Sequence, residues 1–547
     1  MQRLNPLLLV LAGVLLGAGA CQPTGEGGEG SLAHDWTLRA EASDFQETAS
    51  YDEVVAFLEQ AERTHPDLHL THFGYSNEGR PLPLLVAGPV ADAEPASIRD
   101  TGLPVVYLQG NIHAGEVAGK EALLRLVREL ALGERANLIR EMVLLIGPIY
   151  NADGNERVDL RNRPRQHGPL GGMGTRPNAQ ELDLNRDQMK LDSPEARSLA
   201  ALFNRFDPHV FVDLHTTNGT RHAYHLTYSP PLHPATPRAI DELLRDELLP
   251  RVTEEVEDAY GWHFWHYGNV SERDGVRGWY TFDHRPRFVT NYGGSRNRIS
   301  ILSEAYSYAT FEDRIVATER FVEGILGWVL DHPERVMEVV EAEDARELSG
   351  IRLPVRAGFP EEADEHVILM GAVEEEVHPW TGQTILRRTD LVEEDPMPAF
   401  VAFTGTEDET VPAAYLVPRE LAPVVERLRA HGVLLQPADD PDHTAPIPDD
   451  LADARGQRFV LEAVEVAEQT FQGRNQVTVE GAWGEDTDAL PTGDELQDWL
   501  LLPMDQPLAR LAFLLLEPRA DDGLVNWGIL APWLEEGAPY PIVRIMP

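Results

Sequence analysis

Residues 104–116 read PVVYLQGNIHAGE, a short apolar run followed at once by a polar loop. The apolar run, Pro104 to Gln109, predicts a buried strand. A helix is predicted directly afterwards, opening at Glu116 and covering 117–132, because its apolar residues recur at helical spacing. A strand that leads through a loop into a helix is the repeating unit of an α/β fold.

The same alternation continues for some three hundred residues. Apolar runs at 142–149, 209–213 and 298–303 predict three further strands. Ser193 followed by Pro194 is typical of a helix start, and that helix should reach Phe206; another should run from Thr310 to about Leu330. We therefore predict a mixed, mainly parallel sheet flanked by helices, in which ligands bind beyond the carboxyl ends of the strands.

Composition limits the function of this chain. Its 547 residues contain 46 Lys and Arg against 91 Asp and Glu, a net charge of −45, and a single cysteine. The charge argues against nucleic acid as a partner, and one cysteine excludes a disulfide scaffold. Only two lysines occur, Lys120 and Lys190. This pattern is consistent with adaptation to a salty exterior or with a genome that favours arginine codons.

The N-terminus has the pattern of a targeting segment. Arg3 precedes an apolar stretch at 7–16, which is too short to span a bilayer and is typical of a signal peptide covering 1–20. Ala18-Gly19-Ala20-Cys21 resembles a bacterial lipobox, in which the cysteine is acylated, and a flexible tether would then cover 21–45. We expect an extracytoplasmic protein, either lipid-anchored to the bacterial envelope or secreted with an ordinary signal.

The length predicts more than one domain. We expect a catalytic domain at 46–345. After about Gly350, acid- and proline-rich stretches separate short apolar runs, so 351–547 should form one or two accessory domains with appreciable strand, and we find no metal-binding pattern there.

Polar residues follow three of the predicted strands. His113 and Glu116 come after the first, Asp213 and His215 close the third, and Glu304 follows the fourth. His-x-x-Glu alone is weak, since an exposed polar pair at a helix start looks the same. A second histidine would complete a two-histidine, one-carboxylate site with an open position for water, as in hydrolytic zinc sites. Asp213 could orient a ligand from behind.

Several motifs in order extend this pattern. EGRPLP occupies 78–83, NADGN 151–155 and DLNR 183–186. From about Tyr51 to Leu330 the sequence resembles the zinc carboxypeptidase family of metallopeptidases. The resemblance implies one zinc ion held by His113, Glu116 and His215, with Glu304 as the base that takes a proton from the metal-bound water.

The resemblance also implies substrate-binding residues. Asn185 and Arg186 would hold the terminal carboxylate of a peptide, and Arg176 would stabilise the oxyanion, with Arg161 and Arg163 as alternatives. Tyr292 would be the mobile residue that covers the substrate, with Tyr280, Tyr306 and Tyr308 as competitors. The pocket for the terminal side chain is expected in the segment 268–294.

We therefore predict an extracytoplasmic zinc metallocarboxypeptidase that acts on peptides and reaches a membrane only through an anchor at Cys21. The first alternative is a zinc amidase or deacylase, because aspartoacylase-like relatives share the His-x-x-Glu and Asp-Leu-Asn-Arg motifs. The second is a surface binding lipoprotein on an inactive peptidase scaffold.

Overall fold

The computed structural model describes residues 36–217, 219–440, 455–484, 490–491 and 493–546. The predicted signal peptide and Cys21, together with most of the tether, lie outside the described residues. From Leu38 onward the chain forms one compact unit. The boundary between a catalytic and an accessory domain near residue 350 therefore stays a prediction.

An eight-stranded sheet organises the first three hundred residues. The strands in this part of the chain are β1 (Leu68–Tyr75), β2 (Pro81–Ala87), β3 (Val105–Gly110), β4 (Val143–Gly147), β5 (Val210–Thr216), β6 (Leu226–Ser229), β7 (Phe264–His266), β8 (Asn269–Arg273), β9 (Val276–Tyr280) and β10 (Ile299–Ala305). The order across the sheet is β1-β2-β4-β3-β5-β10-β6-β7.

The centre of this sheet is parallel. Strand β3 pairs in parallel with β4 and β5, and β5 pairs in parallel with β10. Antiparallel pairs join β2 to β4 and β6 to β10. Every residue of β3, β4 and β5 is buried, as expected for strands covered on both faces. The predicted mainly parallel α/β fold is confirmed.

Helices connect and cover these strands. They are α1 (Arg39–Ala42), α2 (Tyr51–Thr64), α3 (Pro95–Arg99), α4 (Ala118–Ala131), α5 (Leu138–Glu141), α6 (Ala152–Asn155), α7 (Pro194–Phe206), α8 (Arg238–Glu242), α9 (Leu249–Tyr260), α10 (Val289–Ser295), α11 (Phe311–Asp331) and α12 (Pro333–Asp344), with a π-helical turn at Leu243–Leu248. None of the helices in the described part of the chain combines the length and apolar character that crossing a bilayer requires.

The predicted helix starts rest on side-chain caps. The Ser193 hydroxyl accepts a hydrogen bond from the Ala196 N–H at the start of α7, and Thr310 accepts one from Asp313 at the start of α11. These caps satisfy N–H groups that have no partner within the first turn.

The helix after β3 begins two residues later than predicted. Helix α4 starts at Ala118, and Glu116 lies in the preceding turn, where its N–H donates to the His113 carbonyl at 2.8 Å. Gly119 lets the helix approach the sheet, because a Cβ there would stand 2.5 Å from the Leu214 Cβ. The turn, rather than a helical face, therefore brings His113 and Glu116 to one side.

Two strands run further than predicted. Strand β5 continues to Thr216 and β10 to Ala305, so His215 and Glu304 belong to the strands themselves. The two residues are direct partners in the parallel register of these strands. The carboxyl ends of β3, β5 and β10 thus meet at one edge of the sheet.

The C-terminal region is rich in strand, as predicted. Its strands are β11 (Arg352–Gly358), β12 (Glu365–Val377), β13 (Thr384–Phe400), β14 (Thr404–Thr410), β15 (Ala414–Pro418), β16 (Gln436–Pro437), β17 (Arg455–Gln457), β18 (Phe459–Phe471), β19 (Arg474–Trp483), β20 (Trp499–Pro503) and β21 (Val543–Met546). Its helices are α13 (Ala422–His431) and α14 (Ala509–Leu516), with 3₁₀ turns at Gly493–Asp498 and Ala531–Trp533.

This region packs directly against the first three hundred residues. Strand β13 pairs in parallel with β9, with Ala399 opposite Trp279. Met189 and Tyr292 belong to the same buried apolar cluster as the core of the C-terminal region, which includes Tyr415. A continuous core joins the two parts of the chain.

Both lysines of the chain lie inside this fold. Lys120 and Lys190 are each 0% exposed. The Lys120 ammonium donates to the Asn155 Oδ1 at 2.7 Å, and the Lys190 ammonium pairs with Asp187. Burial lowers the pKa of Lys120 to about 8.

Candidate metal centre and active site

Three buried side chains converge at the carboxyl edge of the sheet. The Nδ1 atoms of His113 and His215 lie 3.2 Å apart. Glu116 places Oε1 3.1 Å from the His113 Nδ1 and Oε2 2.9 Å from the His215 Nδ1. Residues separated by about a hundred positions in sequence thus present three lone-pair donors to one point.

The second nitrogen of each imidazole faces a carboxylate. The His113 Nε2 lies 3.1 Å from the Asp183 Oδ1, and the His215 Nε2 pairs with the Asp213 Oδ2. Carboxylates in this position fix the tautomer of a ligating histidine, with the proton on Nε2 and the lone pair on Nδ1.

Glu116 is held from two further sides. The Thr216 N–H donates to its Oε2 at 3.0 Å, and the Arg163 Nη1 donates to its Oε1 at 2.8 Å. The other guanidinium nitrogens of Arg163 bind Gln166 and the carbonyls of Thr216 and Thr217. Arg163 therefore supports a ligand and has no donor directed at a substrate.

This arrangement fits a zinc ion. In the part of the chain that the structure describes, these three residues are the one group of His, Cys, Asp or Glu side chains close enough to share a metal. Two imidazole nitrogens and one carboxylate, each oriented from behind, are the donor set of catalytic zinc sites, which leave a fourth position open. The site accommodates a single metal ion.

A cleft of about 350 Å³ opens beside these ligands. It is lined by His113, Glu116, Arg176, Asn185, Arg186, Thr216, Thr217, Tyr267, Phe282, Phe288, Leu302 and Glu304. All the predicted catalytic and substrate-binding residues except Tyr292 lie in this cleft. The expected side-chain pocket in 268–294 is represented there by Phe282 and Phe288.

Glu304 reaches the cleft from β10. Its Oε2 is buried and makes no hydrogen bond to another protein group. Burial raises the pKa of this carboxyl, and the charge of Glu116 acts in the same direction, whereas His215 opposes it. A carboxylate with a raised proton affinity and an unused oxygen is suited to accept a proton from a bound molecule.

Arg176 is the arginine that faces the cleft. Its guanidinium is half-exposed, and its Nε and Nη2 each lie 2.9 Å from the Asp183 Oδ2. Arg161 lies outside the cleft, in a separate surface groove that contains Trp380. Among the three arginines considered from the sequence, the geometry favours Arg176 as the one able to contact a substrate.

Asn185 and Arg186 form the other wall. The Asn185 Oδ1 accepts a hydrogen bond of 2.8 Å from the Val289 N–H, which joins this wall to the start of α10. The Arg186 guanidinium carbon lies 3.8 Å from the centre of the Phe288 ring, and its Nη1 donates to the Asn185 carbonyl at 2.7 Å. Stacking on an aromatic face leaves the edge of the guanidinium available to an anion.

The assignment of Tyr292 as the substrate-covering residue is wrong. Tyr292 is 0% exposed and lies in α10, not in a mobile loop. Its hydroxyl bonds to the His431 Nδ1 at 2.8 Å and accepts from Arg296 at 3.0 Å. A tyrosine fixed in the core at both its ring and its hydroxyl does not move to a substrate.

Tyr267 is the tyrosine that lines the cleft. The competitors considered from the sequence are buried elsewhere: Tyr280 stacks on Phe400, and Tyr306 and Tyr308 pack against Leu386. Tyr267 is the last residue of an aromatic stretch, 262–267, and its side chain forms part of the cleft wall.

Sequence reasoning assigned no role to Asp183, although it quoted the motif that contains it. Asp183 contacts both His113 and Arg176, and together with Arg186 they hold its pKa well below the usual range against the effect of burial. Sequence reasoning also assigned no role to Gln109, whose Nε2 donates to the Asp213 Oδ1 at 2.9 Å. The signal that could have indicated Gln109 is its position as a polar residue in the otherwise apolar strand Val105–Gly110.

The carboxyl edge of the parallel sheet thus carries two histidines and one carboxylate that converge, with an unpaired glutamate beside them. Such a centre defines the class of zinc-dependent hydrolases. Comparison with known sequences gives the family. The zinc carboxypeptidase family matches residues 54–242, which contain His113, Glu116 and His215. Residues 54–242, about a third of the chain, are thus similar to zinc carboxypeptidases, and this similarity supports a zinc metallocarboxypeptidase.

The relatives align with different fractions of this chain. Carboxypeptidase 2 of Trichophyton tonsurans is 25% identical over 517 residues, which cover 86% of this chain and 81% of the relative. Human carboxypeptidase D is 33% identical over 184 residues, 29% of this chain and 13% of the relative. Among solved structures, a metallo-carboxypeptidase of Pseudomonas aeruginosa aligns over 53% of this chain and 70% of its own, with 16% identity and a TM-score of 0.39.

Proposed function

We propose that this protein is an extracytoplasmic zinc carboxypeptidase that hydrolyses the last peptide bond of peptides with a free C-terminus. One observation carries the proposal: Arg186 and Asn185 line the same cleft as Glu304 and two of the three convergent ligands, His113 and Glu116. An arginine fork across the cleft from a hydrolytic centre can hold a terminal carboxylate and so limit cleavage to a chain end.

The residues act in sequence on a bound peptide. The edge of the Arg186 guanidinium and the Asn185 amide hold the terminal carboxylate, and this places the scissile carbonyl near His113, Glu116 and His215. Those three residues would hold a zinc ion, which would supply a Lewis acid that lowers the pKa of water and polarises a carbonyl. Glu304 takes the proton from the attacking water and delivers it to the leaving nitrogen as the C–N bond breaks.

Arg176 supplies positive charge where the carbonyl oxygen becomes negative. Asp183 holds the Arg176 Nε and Nη2, and Nη1 lies 3.7 Å from the Glu116 Oε1, where it can act as donor towards the cleft. The same Asp183 orients His113, so the ligand and the oxyanion donor share one support.

The location is supported by the N-terminal sequence alone. The apolar stretch at 7–16 and the single Cys21 have the pattern of a signal peptide with a lipid-attachment cysteine. Fractionation of cells that produce the full chain, with and without Cys21→Ser, tests this point. Recovery of the wild-type protein in the cytosol, with its N-terminal segment still attached, would contradict the extracytoplasmic location.

The activity is tested with a substrate pair. The purified protein, loaded with zinc, is compared on an N-blocked dipeptide with a free C-terminus and on a simple N-acyl amino acid. We expect the dipeptide to be cleaved with the higher kcat/KM. Preference for the N-acyl amino acid would instead favour an amidase of the aspartoacylase-like class, and no turnover of either with zinc bound would favour a binding protein.

A further inference from the structure

A hairpin of the C-terminal region reaches the back of the active site. Strands β18 and β19 are joined by Gln472 and Gly473, and the Gln472 Oε1 accepts a hydrogen bond of 2.8 Å from the Asp183 N–H. The two residues lie 289 positions apart in sequence. Asp183 is the residue whose carboxylate contacts both His113 and Arg176.

The conformation of this turn indicates that the glutamine is present for its side chain. Gln472 has φ of 50° and Gly473 has φ of 79°, so both occupy the left-handed region. Such two-residue turns favour Asn-Gly, Asp-Gly or Gly-Gly, and a glutamine at the first position is strained. Asparagine would suit the backbone better, but its side chain is one methylene shorter and would not span the same distance to Asp183.

Contacts on both sides of the turn anchor the hairpin, and this holds the Gln472 side chain at a fixed position. The next residue but one, Arg474, donates from Nε and Nη2 to Asp192 at 2.6 Å each. On the other side of the turn, Phe471 stacks on the buried Trp527, with ring centres 6.0 Å apart. A turn anchored on both sides can hold a loop in place.

A second contact from the same region reaches the opposite wall of the cleft. The Arg287 Nε donates to the Asp522 Oδ1 at 2.8 Å, and both residues are buried. Arg287 immediately precedes Phe288, on which the Arg186 guanidinium stacks. The C-terminal region therefore supports the cleft from behind at two independent points.

We propose that Gln472 is a positioning residue of the active site, which fixes Asp183 and through it the zinc ligand His113 and the cleft residue Arg176. The proposal rests on the function proposed above for its catalytic consequence, but not for its effect on zinc binding. It assigns the C-terminal region, which lies outside the family match at 54–242, an indirect part in the metal centre through Asp183.

The test uses the full chain and three variants. Gln472→Met keeps the length and the strained backbone but removes the acceptor, and Gln472→Gly removes the acceptor while relieving the strain. Gln469→Met, at an exposed position of β18, is the matched control. Zinc affinity is measured by chelator competition, kcat and KM with an N-blocked dipeptide at saturating zinc, and stability by thermal unfolding.

We expect both Gln472 variants to bind zinc about tenfold more weakly, close to the loss usual for groups that orient a metal ligand, and to lose about tenfold in kcat/KM. Gln472→Gly should unfold at the wild-type temperature or above it, which separates positioning from stability. Wild-type zinc affinity and kcat/KM in both variants would overturn the proposal. A wild-type protein that binds zinc but cleaves no peptide would contradict the proposed function alone, since the comparison of zinc affinities still decides the role of Gln472.

Discussion

Glu304 lies directly opposite His215 in the parallel register of two neighbouring strands. Neither side chain depends on a loop for its position, because β5 extends through His215 and β10 through Glu304. The proposed base and a proposed zinc ligand are therefore fixed by the sheet itself.

Glu304→Gln should abolish turnover without loss of metal. The amide has nearly the same shape but cannot accept and return a proton, so kcat should fall about a hundred- to ten-thousand-fold. Zinc content after gel filtration, measured by elemental analysis, should equal that of the wild type. Activity within a factor of a few of the wild type would show that another group is the base.

Asp213→Asn should weaken zinc binding. Asp213 is fully buried and faces the Nε2 of His215. Without the negative charge of this carboxylate, the imidazole is less firmly oriented and is a weaker base. We expect an affinity about 10- to 100-fold lower by chelator competition. Asp258→Asn, at an exposed position of α9, serves as the control and should bind zinc as the wild type does.

Arg186→Lys should raise KM for peptides with a free C-terminus. Lysine keeps the charge but loses the planar pair of donors and the stacking on Phe288, so we expect an increase of about tenfold or more. Cleavage of a C-terminally amidated peptide, slow in the wild type, should change little. An equal effect on both peptides would contradict carboxylate recognition by this residue.

Tyr267→Phe and Tyr292→Phe should separate the cleft tyrosine from the core tyrosine. The first variant removes a hydroxyl from the cleft and should lower kcat/KM by about fivefold, the cost of one hydrogen bond of about 1 kcal/mol. The second removes a partner of the buried His431 and should lower stability with kcat and KM unchanged. The reverse pattern would restore Tyr292 as a substrate-binding residue.

Acid should destabilise the fold through buried neutral histidines, and His431 provides a clean case. Burial lowers the pKa of His431 to about 3, and the nearby cations of Arg296, Arg427 and Arg197 act in the same direction. The unfolded chain, with a pKa near 6.5, binds a proton that the folded state excludes. The stability from this group is complete above about pH 6.5 and is lost as the pH falls towards 3.

At pH 5 the loss from His431 alone is about 2 kcal/mol, from the 1.36 kcal/mol that each pKa unit represents. Urea unfolding of His431→Gln between pH 5 and 7.5 should therefore show a shallower dependence on pH than the wild type, with lower stability at neutral pH. Parallel curves for the two proteins would contradict a neutral buried imidazole at this position.

The sequence predicted the parts of the site that follow from strand order. His113, Glu116, His215 and Glu304 each follow or close an apolar run, and the carboxyl ends of neighbouring parallel strands meet at one edge. Tyr292 could not be assigned in this way, because a tyrosine beside glycines looks the same in a loop and in a buried helix. Only the packing of α10 against the C-terminal region distinguishes the two.

The supporting contacts were harder to predict for another reason. In the motif at 183–186, the resemblance assigns roles to Asn185 and Arg186 but none to Asp183. The contacts of Asp183 with His113 and Arg176 depend on the path of a loop, which the sequence does not specify. Gln472 gives no local signal at all, since its partner lies 289 residues earlier. Contacts of this kind depend on how the C-terminal region docks, which periodicity and motif spacing do not describe.

The burial of Lys120 and Lys190 has a practical consequence. Every other basic side chain is arginine or histidine, so the native surface offers succinimidyl esters and aldehydes no ε-amine to acylate or condense with. Such reagents are left with the α-amino group at most. Single-site coupling to a dye or a solid support should therefore be possible without protecting the cleft.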